Sequence, residues 1–458
     1  MPCKPTKANG GRTRNLPRHD PEKWQLFIDY CIQDVVVEMA IGDKLSALSI
    51  SPREWDYYAV DQRINDRGVG LDNDLVQSAL YCKDAKMAAL ASELKKITQL
   101  DNPNSRNQLL SWLKERGYQA KGLTKADVQK ELEAATGDVK RVLELKLQTS
   151  MSSLKKYEAM ERAECSDGRV HGLLQFYGAS RTGRWAGRVV QVQNLARNYL
   201  RDLDDARNLV KKRDIDGIEI LYDSLNDTLK QLVRTAFVAG EEKDFYVSDF
   251  SAIEARVIAW YAKENWRLEV FATHGKIYEA SASQMFHIPI EDVDKNLRQK
   301  GKVAELALGY QGGPGALKQM GALEMGVPEE ELPELVENWR RANPNIVQFW
   351  TDVQRAAIKA LKTQSTIKLG KLKFKRSKGF LFIQLPSGRN LAYAKATVEA
   401  GDYGDKIIYE GQGDKAYFTR QETYGGKLVE NIVQATARDV LAEALLRLEE
   451  AGYPVVFH

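Results

Sequence analysis

The stretch "DFYVSDFSAIEARVIAW" puts Asp249 where a short apolar run ends and a helical pattern begins. Phe245 to Ser248 read as a strand, and Glu254 and Arg256 fall on the first turns of the helix. A carboxylate at such a junction suits Mg²⁺, which takes oxygen donors and leaves positions for phosphates. The plainer role of an Asp there is to cap the helix. A second stretch, "RQKGKVAELALGYQGG", sets Arg298, Lys302, Leu306 and Tyr310 at intervals of four. At about 3.6 residues per turn these form one slowly drifting stripe on a single helix. Its two cations could grip a triphosphate while the apolar and aromatic end packs on a sugar and base. An amphipathic helix passing from solvent to core would look the same. Gly301 and Gly309 each cost a helix about 1 kcal/mol relative to Ala, which implies a close approach or a moving helix.

Two further stretches carry polar readers. "ASRTGRWAGRVVQVQNLAR" crowds Arg181, Arg184, Arg188 and Arg197 with Gln191, Gln193 and Asn194 into a Gly-containing, non-helical segment. Arg and amide side chains read phosphates and minor-groove acceptors, although a solvated loop could have this composition too. "NIVQATARDV" places Gln434 and Arg438 one turn apart on a helix.

The elements that must position these residues follow from pattern. "PEKWQLFIDYCIQDVVVEMAIGDKL" predicts one amphipathic helix from Pro21 to about Leu45, with Asp20 as its cap. Helices are expected over "SRNQLLSWLKERG" and "TKADVQKELEAA", and one long helix over "DVKRVLELKLQTSMSSLKKYEAM". A β-rich texture begins near "DGRVHGLLQFYG". Helices dominate again from Trp266 to about Lys362, followed by a basic hairpin, "IKLGKLKFKRSKGFLFIQLPSGRNLAYA". A capped helix, "NIVQATARDVLAEALLRLEEAG", leads into "AGYPVVFH", whose Val455, Val456 and Phe457 read as the start of a strand.

Composition sets the frame. The chain has 458 residues, room for about two to four domains. A hydrophobic content of 43% with 28% charged residues is that of a soluble globular protein. A net charge of +4 does not by itself require an anionic partner. Four scattered cysteines, with no CxxC, suggest reduced thiols in a cytoplasmic setting. No apolar run reaches the about 18 residues of a membrane span, so no membrane partner is expected.

Taken in order, these stretches resemble family A DNA polymerases, the bacterial DNA polymerase I type, in a phage-like branch. "DFSAIEAR" is similar to the family's motif A, and "RQKGKVAELALGY" to its motif B. "DGRVH…SRTGR…QVQN" resembles its template-primer contact segment, and "NIVQATARDV" the helix preceding motif C. Each motif alone is weak, but four in register from Asp167 onward are specific. The resemblance implies an α+β right-hand polymerase fold. It divides the chain into an exonuclease remnant (1–45), a helical thumb (46–160), palm with motif A (161–264), fingers with motif B (265–425) and palm again (426–458). The implied function is template-directed DNA synthesis with two Mg²⁺ ions, primer-template DNA and dNTPs.

By the same resemblance Asp249 is the metal ligand, and Arg298 and Lys302 hold the triphosphate. Glu254 excludes a 2′-OH, and Leu306 lines the sugar pocket. Tyr310 stacks at the templating position, with Arg256 also on the dNTP side. Arg181, Arg184, Gln193, Asn194 and Gln434 contact the DNA. Two positions depart from the family: Gln311 stands where Gly is preferred, and Tyr278 where many members have a His. Tyr30 and Asp34 resemble the third motif of a proofreading exonuclease whose other carboxylates lie upstream in the family, so no proofreading is expected. Motif C carries the family's second metal-binding Asp, and "AGYPVVFH" resembles the strand before it. The expectation is a catalytic site completed by a second polypeptide, or else a non-catalytic primer-template and nucleotide-binding protein. Glu254 argues against the remaining alternative, a single-subunit RNA polymerase.

Overall fold

A computed structural model describes residues 3–46, 50–149, 154–401, 404–413 and 417–458. The chain divides into two compact units, Met1–Asp56 and Tyr57–His458. In the first, α1 (Pro21–Leu45) has the expected bounds, and the Asp20 carboxylate accepts from the Lys23 N–H at 3.1 Å. None of its side chains is buried. Helix α2 (Pro52–Arg67) begins in this unit and buries Tyr57, Val60 and Ile64 in the next.

The second unit opens with β1 (Val69–Leu71), the long α3 (Asn73–Thr98), α4 (Arg106–Lys114) and α5 (Lys125–Leu132). Ser105 and Thr124 cap α4 and α5, as their polar starts predict. The long helix expected next is described as α6 (Gly137–Thr149) and α7 (Lys155–Ala163), because residues 150–153 lie outside the described residues. Leu90, Leu109, Leu113 and Leu143 make a separate small core here. The expected β-rich part consists of two-residue strands: β2 (Arg169–Val170), β3 (Leu174–Gln175), β4 (Ala186–Gly187) and, later, β5 (Phe237–Val238). Strand β1 pairs antiparallel with β2 and β5, and β3 with β4. Helices α8 (Leu203–Lys211), α9 (Ile215–Tyr222) and α10 (Leu225–Leu232) intervene.

Helices then run from α11 (Ile253–Ala262) through α12 (Asn265–Ala272), α13 (Ile277–Phe286) and α14 (Lys295–Leu308). They continue with α15 (Pro314–Gln319), α16 (Leu332–Ala342) and α17 (Pro344–Thr363). The predicted basic hairpin is part of a larger element. Strands β6 (Ile367–Leu369), β7 (Leu372–Ser377), β8 (Phe380–Gln384), β9 (Asn390–Gly401), β10 (Gly404–Gln412) and β11 (Phe418–Thr423) form one antiparallel meander. Its buried residues, among them Phe374, Ile383 and Tyr393, share a core with α17 and with α18 (Gly425–Glu450). Extending the hairpin in this way covers an apolar face that two strands alone would leave wet.

Three expectations are corrected. Phe245 to Ser248 form no strand, and Tyr246 and Val247 are 95% and 92% exposed. Strand propensity is a fit to a pleated, half-buried surface, and this run pairs with no described strand. Residues 453–458 likewise join no sheet; Val456 and Phe457 pack on the core of the small three-stranded sheet instead, and Val455 on a cluster with Leu445. The helix expected from Asn431 begins at Gly425 and has no side-chain cap of its own. Its first N–H groups are served by distant amides, Gln354 Oε1 at 2.9 Å and Gln311 Oε1 at 3.0 Å.

Candidate active site

Helix α11 starts four residues past Asp249, and its cap position is Ala252, in the left-handed region at φ 50°. Asp249 therefore does not cap the helix. Its side chain is exposed and has no hydrogen bond or ion pair with a described residue. The segment is steadied by Phe245, whose ring lies 6.4 Å from Phe457, itself 5.9 Å from Phe237.

Three sequence stretches meet at Glu254. The Tyr310 hydroxyl donates to Glu254 Oε2 at 2.7 Å, and Arg184 Nη1 lies 3.5 Å from Oε1. Burial, and then the Glu254 carboxylate, push the Tyr310 hydroxyl far up, so it stays a protonated donor at neutral pH. Helix α14 carries Arg298, Lys302 and Leu306 as expected, but Tyr310 lies just past its last residue, beyond Gly309. The Arg298 guanidinium bonds Glu279 Oε1 at 2.7 Å and stands 5.6 Å over the Tyr278 ring. Burial works to raise the Glu279 pKa, but the Arg298 bond and charge outweigh it and hold the carboxyl low. Lys302 is half-buried and has no ion-pair partner among the described residues, while Leu306 is 46% exposed. The stripe therefore presents one uncommitted cation beside an exposed apolar side chain.

Helix α14 is fixed from behind. A Cβ on Gly301 would sit 2.3 Å from the Tyr278 carbonyl oxygen, so this glycine answers to the close approach of α13. Glu305, one turn on from Gly301, pairs with Arg267 at a site where both side chains are almost fully buried. Ser281 Oγ at 2.9 Å and Trp339 Nε1 at 3.1 Å also donate to Glu305, and Arg267 donates to Asn343 Oδ1 at 2.9 Å. Sequence reading missed both charges. The available signal was Glu305 standing among apolar neighbours in "VAELALGY". Gln311 has φ 66°, a left-handed conformation in which glycine is strain-free, consistent with a family preference for Gly. Here its side chain caps α18, and a Cβ on Gly426 would come within 2.4 Å of the Tyr310 carbonyl oxygen. The Tyr310–Gln311 turn thus rests directly on the first turn of α18.

The other predicted residues divide into engaged and exposed. Arg181 donates to the Ala392 carbonyl and lies 4.6 and 4.7 Å over the Tyr393 and Tyr409 rings. Arg256 bonds the Ser251 carbonyl at 2.8 Å and stands 4.4 Å over Phe271. No hydrogen bond or ion pair among the described residues joins either to Glu254. Gln193 and Asn194 are exposed, and Gln193 Nε2 donates to the His458 carbonyl at 2.8 Å. Gln434 is half-buried and bonds Glu430 at 3.5 Å. One turn on, Arg438 is fully buried against Trp185, 4.8 Å from the ring centroid, and donates to the Gly183 carbonyl at 3.0 Å. Asp439 beside it accepts from Arg389 Nε at 2.8 Å and from Ser387 Oγ at 2.6 Å. This network ties the "SRTGR" segment and the β8–β9 turn to α18. His458 stacks edge-on to Trp185 at 4.7 Å, and burial depresses its pKa to about 4. Tyr30 and Asp34 are both exposed on α1.

Among the described residues no group of three His, Cys, Asp or Glu could hold a metal ion. Asp249, exposed and unpaired, fits a single oxygen-donor position for a cation that keeps water and phosphate ligands. No helix of the described residues is long and apolar enough to cross a membrane.

Comparison with known proteins connects this geometry to a family. The model for DNA polymerase family A matches residues 76–453. The chain is 58% identical, over its full length, to a DNA polymerase of Bacillus phage SP02, and the match covers 72% of that protein. It is 31% identical to the thermostable DNA polymerase I of Thermus aquaticus over 124 residues, 27% of this chain and 14% of that one. Among solved structures, the POL domain of Pol1 from M. smegmatis, in complex with DNA primer-template and dNTP, superposes with a TM-score of 0.57 at 18% identity. That match covers 91% of this chain and 63% of that one.

Proposed function

Because this chain belongs to DNA polymerase family A, we propose that it adds deoxynucleotides to a primer 3′-OH under the direction of a template strand. Its fold is the α+β right-hand polymerase fold. We assign the thumb to 46–160, the palm to 161–264 and 426–458, and the fingers to 265–425. The observation that carries the reading is the meeting of Arg184, Glu254 and Tyr310. It joins the primer-template segment, the helix after Asp249 and the turn after α14 at one point.

Enzymes of this family use divalent metal ions, and two Mg²⁺ ions are proposed, with Asp249 as a ligand. When bound, such ions lower the pKa of the primer hydroxyl and neutralise charge on the transferring phosphate. Lys302, uncommitted and half-buried, supplies the positive charge nearest the triphosphate. Arg298 adds a second, with Glu279 setting its direction. Glu254, fixed by Tyr310 and Arg184, blocks the space a 2′-OH would need and so selects dNTPs over rNTPs. Leu306 covers the sugar. Gln193, Asn194, Arg184 and Gln434 face the primer-template, while Arg181 and Arg256 act by fixing the segments they bond. The enzyme is proposed to work in the cytoplasm of a bacterial host, as a phage polymerase would.

Magnesium-dependent primer extension tests the reading. Two-metal chemistry needs a second carboxylate opposite Asp249, so the assay is run on this chain alone and with a polypeptide carrying the family's motif C. Extension in either arm, lost in Asp249→Ala with primer-template binding retained, is the expected result. A second reading, a primer-template-binding protein without catalysis, is favoured by the unpaired 245–248 segment. Binding without extension in both arms would establish it.

A further inference from the structure

We propose that the outer face of strands β6 to β9 is a track for single-stranded DNA, the template strand running ahead of the primer terminus. This rests on the polymerase reading and adds a binding surface to it.

The cross-strand register sets the face out in rows. Lys368 is opposite Lys373, Lys373 opposite Gln384, and Gln384 opposite Asn390. In the next row Lys375 is opposite Phe382. The alternate positions Leu372, Phe374, Leu381 and Ile383 point inward and are buried. Lys368, Lys373 and Lys375 are exposed, and none has an ion-pair partner among the described residues. Beside them the Phe380 and Phe382 rings stack at 5.5 Å with 22° between their planes.

Two like charges directly opposite each other destabilise a sheet by up to about 1 kcal/mol. A lysine on the edge strand β6 guards against edge-to-edge pairing. Strand β7 is covered by β6 over Leu372–Phe374, however, so its Lys373 guards no edge. The placing of Lys373 opposite Lys368, with Lys375 in the next row, is accounted for by an anion that lies across the rows. The two phenylalanines and the two amides narrow the choice. Aromatic rings on a sheet face stack on bases only when these are splayed out, and cations beside them track the phosphates. An acidic protein partner would not use the rings in this way, and a duplex would keep its bases from them. The face is also tied to the primer-template segment: Arg181 bonds the β9 carbonyl of Ala392, and Arg389 in the β8–β9 turn bonds Asp439 of α18.

The test measures binding of the full chain to labelled primer-templates whose 5′ template overhang is about 2 or about 20 nucleotides, lengths that bracket the usual single-strand site sizes. The wild-type chain should bind the long overhang about tenfold more tightly. The combined variant K368E/K373E/K375E should lose that advantage and keep its short-overhang affinity. Its salt slope on the long overhang should fall by about 2, near 0.7 for each lysine. F380A/F382A, which leaves the charges in place, should lose part of the advantage without the change in salt slope. A charge-reversed chain that keeps the whole advantage overturns the proposal. So does a wild type with no advantage, or an advantage matched by adding an equal charge of duplex. Loss of binding only to phosphatidylserine vesicles, with the overhang advantage intact, also overturns it. Failure of the wild type to bind even the short-overhang substrate would instead sink the polymerase reading.

Discussion

The two sides of the candidate site are built in opposite ways. Behind α14, three hydrogen-bonding side chains, Ser281, Trp339 and Asn343, close around the buried Glu305–Arg267 pair, and α13 packs against Gly301 at backbone distance. Around Asp249 the backbone joins no ladder, and the fixed points are the ring contacts of Phe245 and Phe457. The side proposed to hold the triphosphate is thus preorganised by interactions within the described residues. The side proposed to hold metal has its carboxylate exposed, and its 245–248 backbone pairs with no strand among the described residues. A buried ion pair is worth little in net stability but is costly to break, so it fixes a helix in one position. Ring contacts fix a segment far more loosely.

The contrast can be broken at several points. The largest effect is expected from Glu305→Ala, which leaves Arg267 buried and unpaired. A loss of about 3–5 kcal/mol in urea unfolding is predicted, and a loss below 1 kcal/mol would mean that the hub is wetter than its burial suggests. Asp249→Asn should do the reverse: stability within about 0.5 kcal/mol of the parent, but primer extension down by about three orders of magnitude in a polymerase-competent assay. A large stability change there would show that the segment is packed after all. The third concerns His458, held neutral by burial with a pKa of about 4. The unfolded chain takes up its proton near the ordinary pKa of about 6.5. Stability should therefore fall as pH drops from there through about 4, by on the order of 3 kcal/mol. Comparing the pH dependence of the urea midpoint with that of His458→Asn isolates this contribution. The smallest effect is at Gln311. Removing its cap with Gln311→Ala should cost about 1 kcal/mol. Gln311→Gly, which also relieves the left-handed backbone, should cost less. If glycine costs as much as alanine, the strain at φ 66° is negligible.

Much of the architecture was legible because it is local. The cap at Asp20, the polar starts of α4 and α5 and the Arg298–Lys302–Leu306 stripe on α14 are all local in the chain. The family pattern assigned Arg184, Glu254 and Tyr310 to one site but not to contact with one another, since no spacing rule links residues 184, 254 and 310. Arg181 and Arg256 show the limit of reading by residue type. Both look like exposed cations in sequence, and both are committed to carbonyls and rings in the fold.

The sequence by itself determined which side chains share a helix face and where the locally capped helices α1, α4 and α5 start, because those depend on backbone periodicity and on donors within one turn. It also carried the family, through motifs whose order is linear. Only the tertiary structure decided that the run before Asp249 stays unpaired, that Glu305 and Arg267 are buried together, and that Gln311 caps a helix 115 positions further on. Strand pairing, burial of charge and long-range capping each need a partner from a distant part of the chain, and the identity of that partner is a property of the packed molecule.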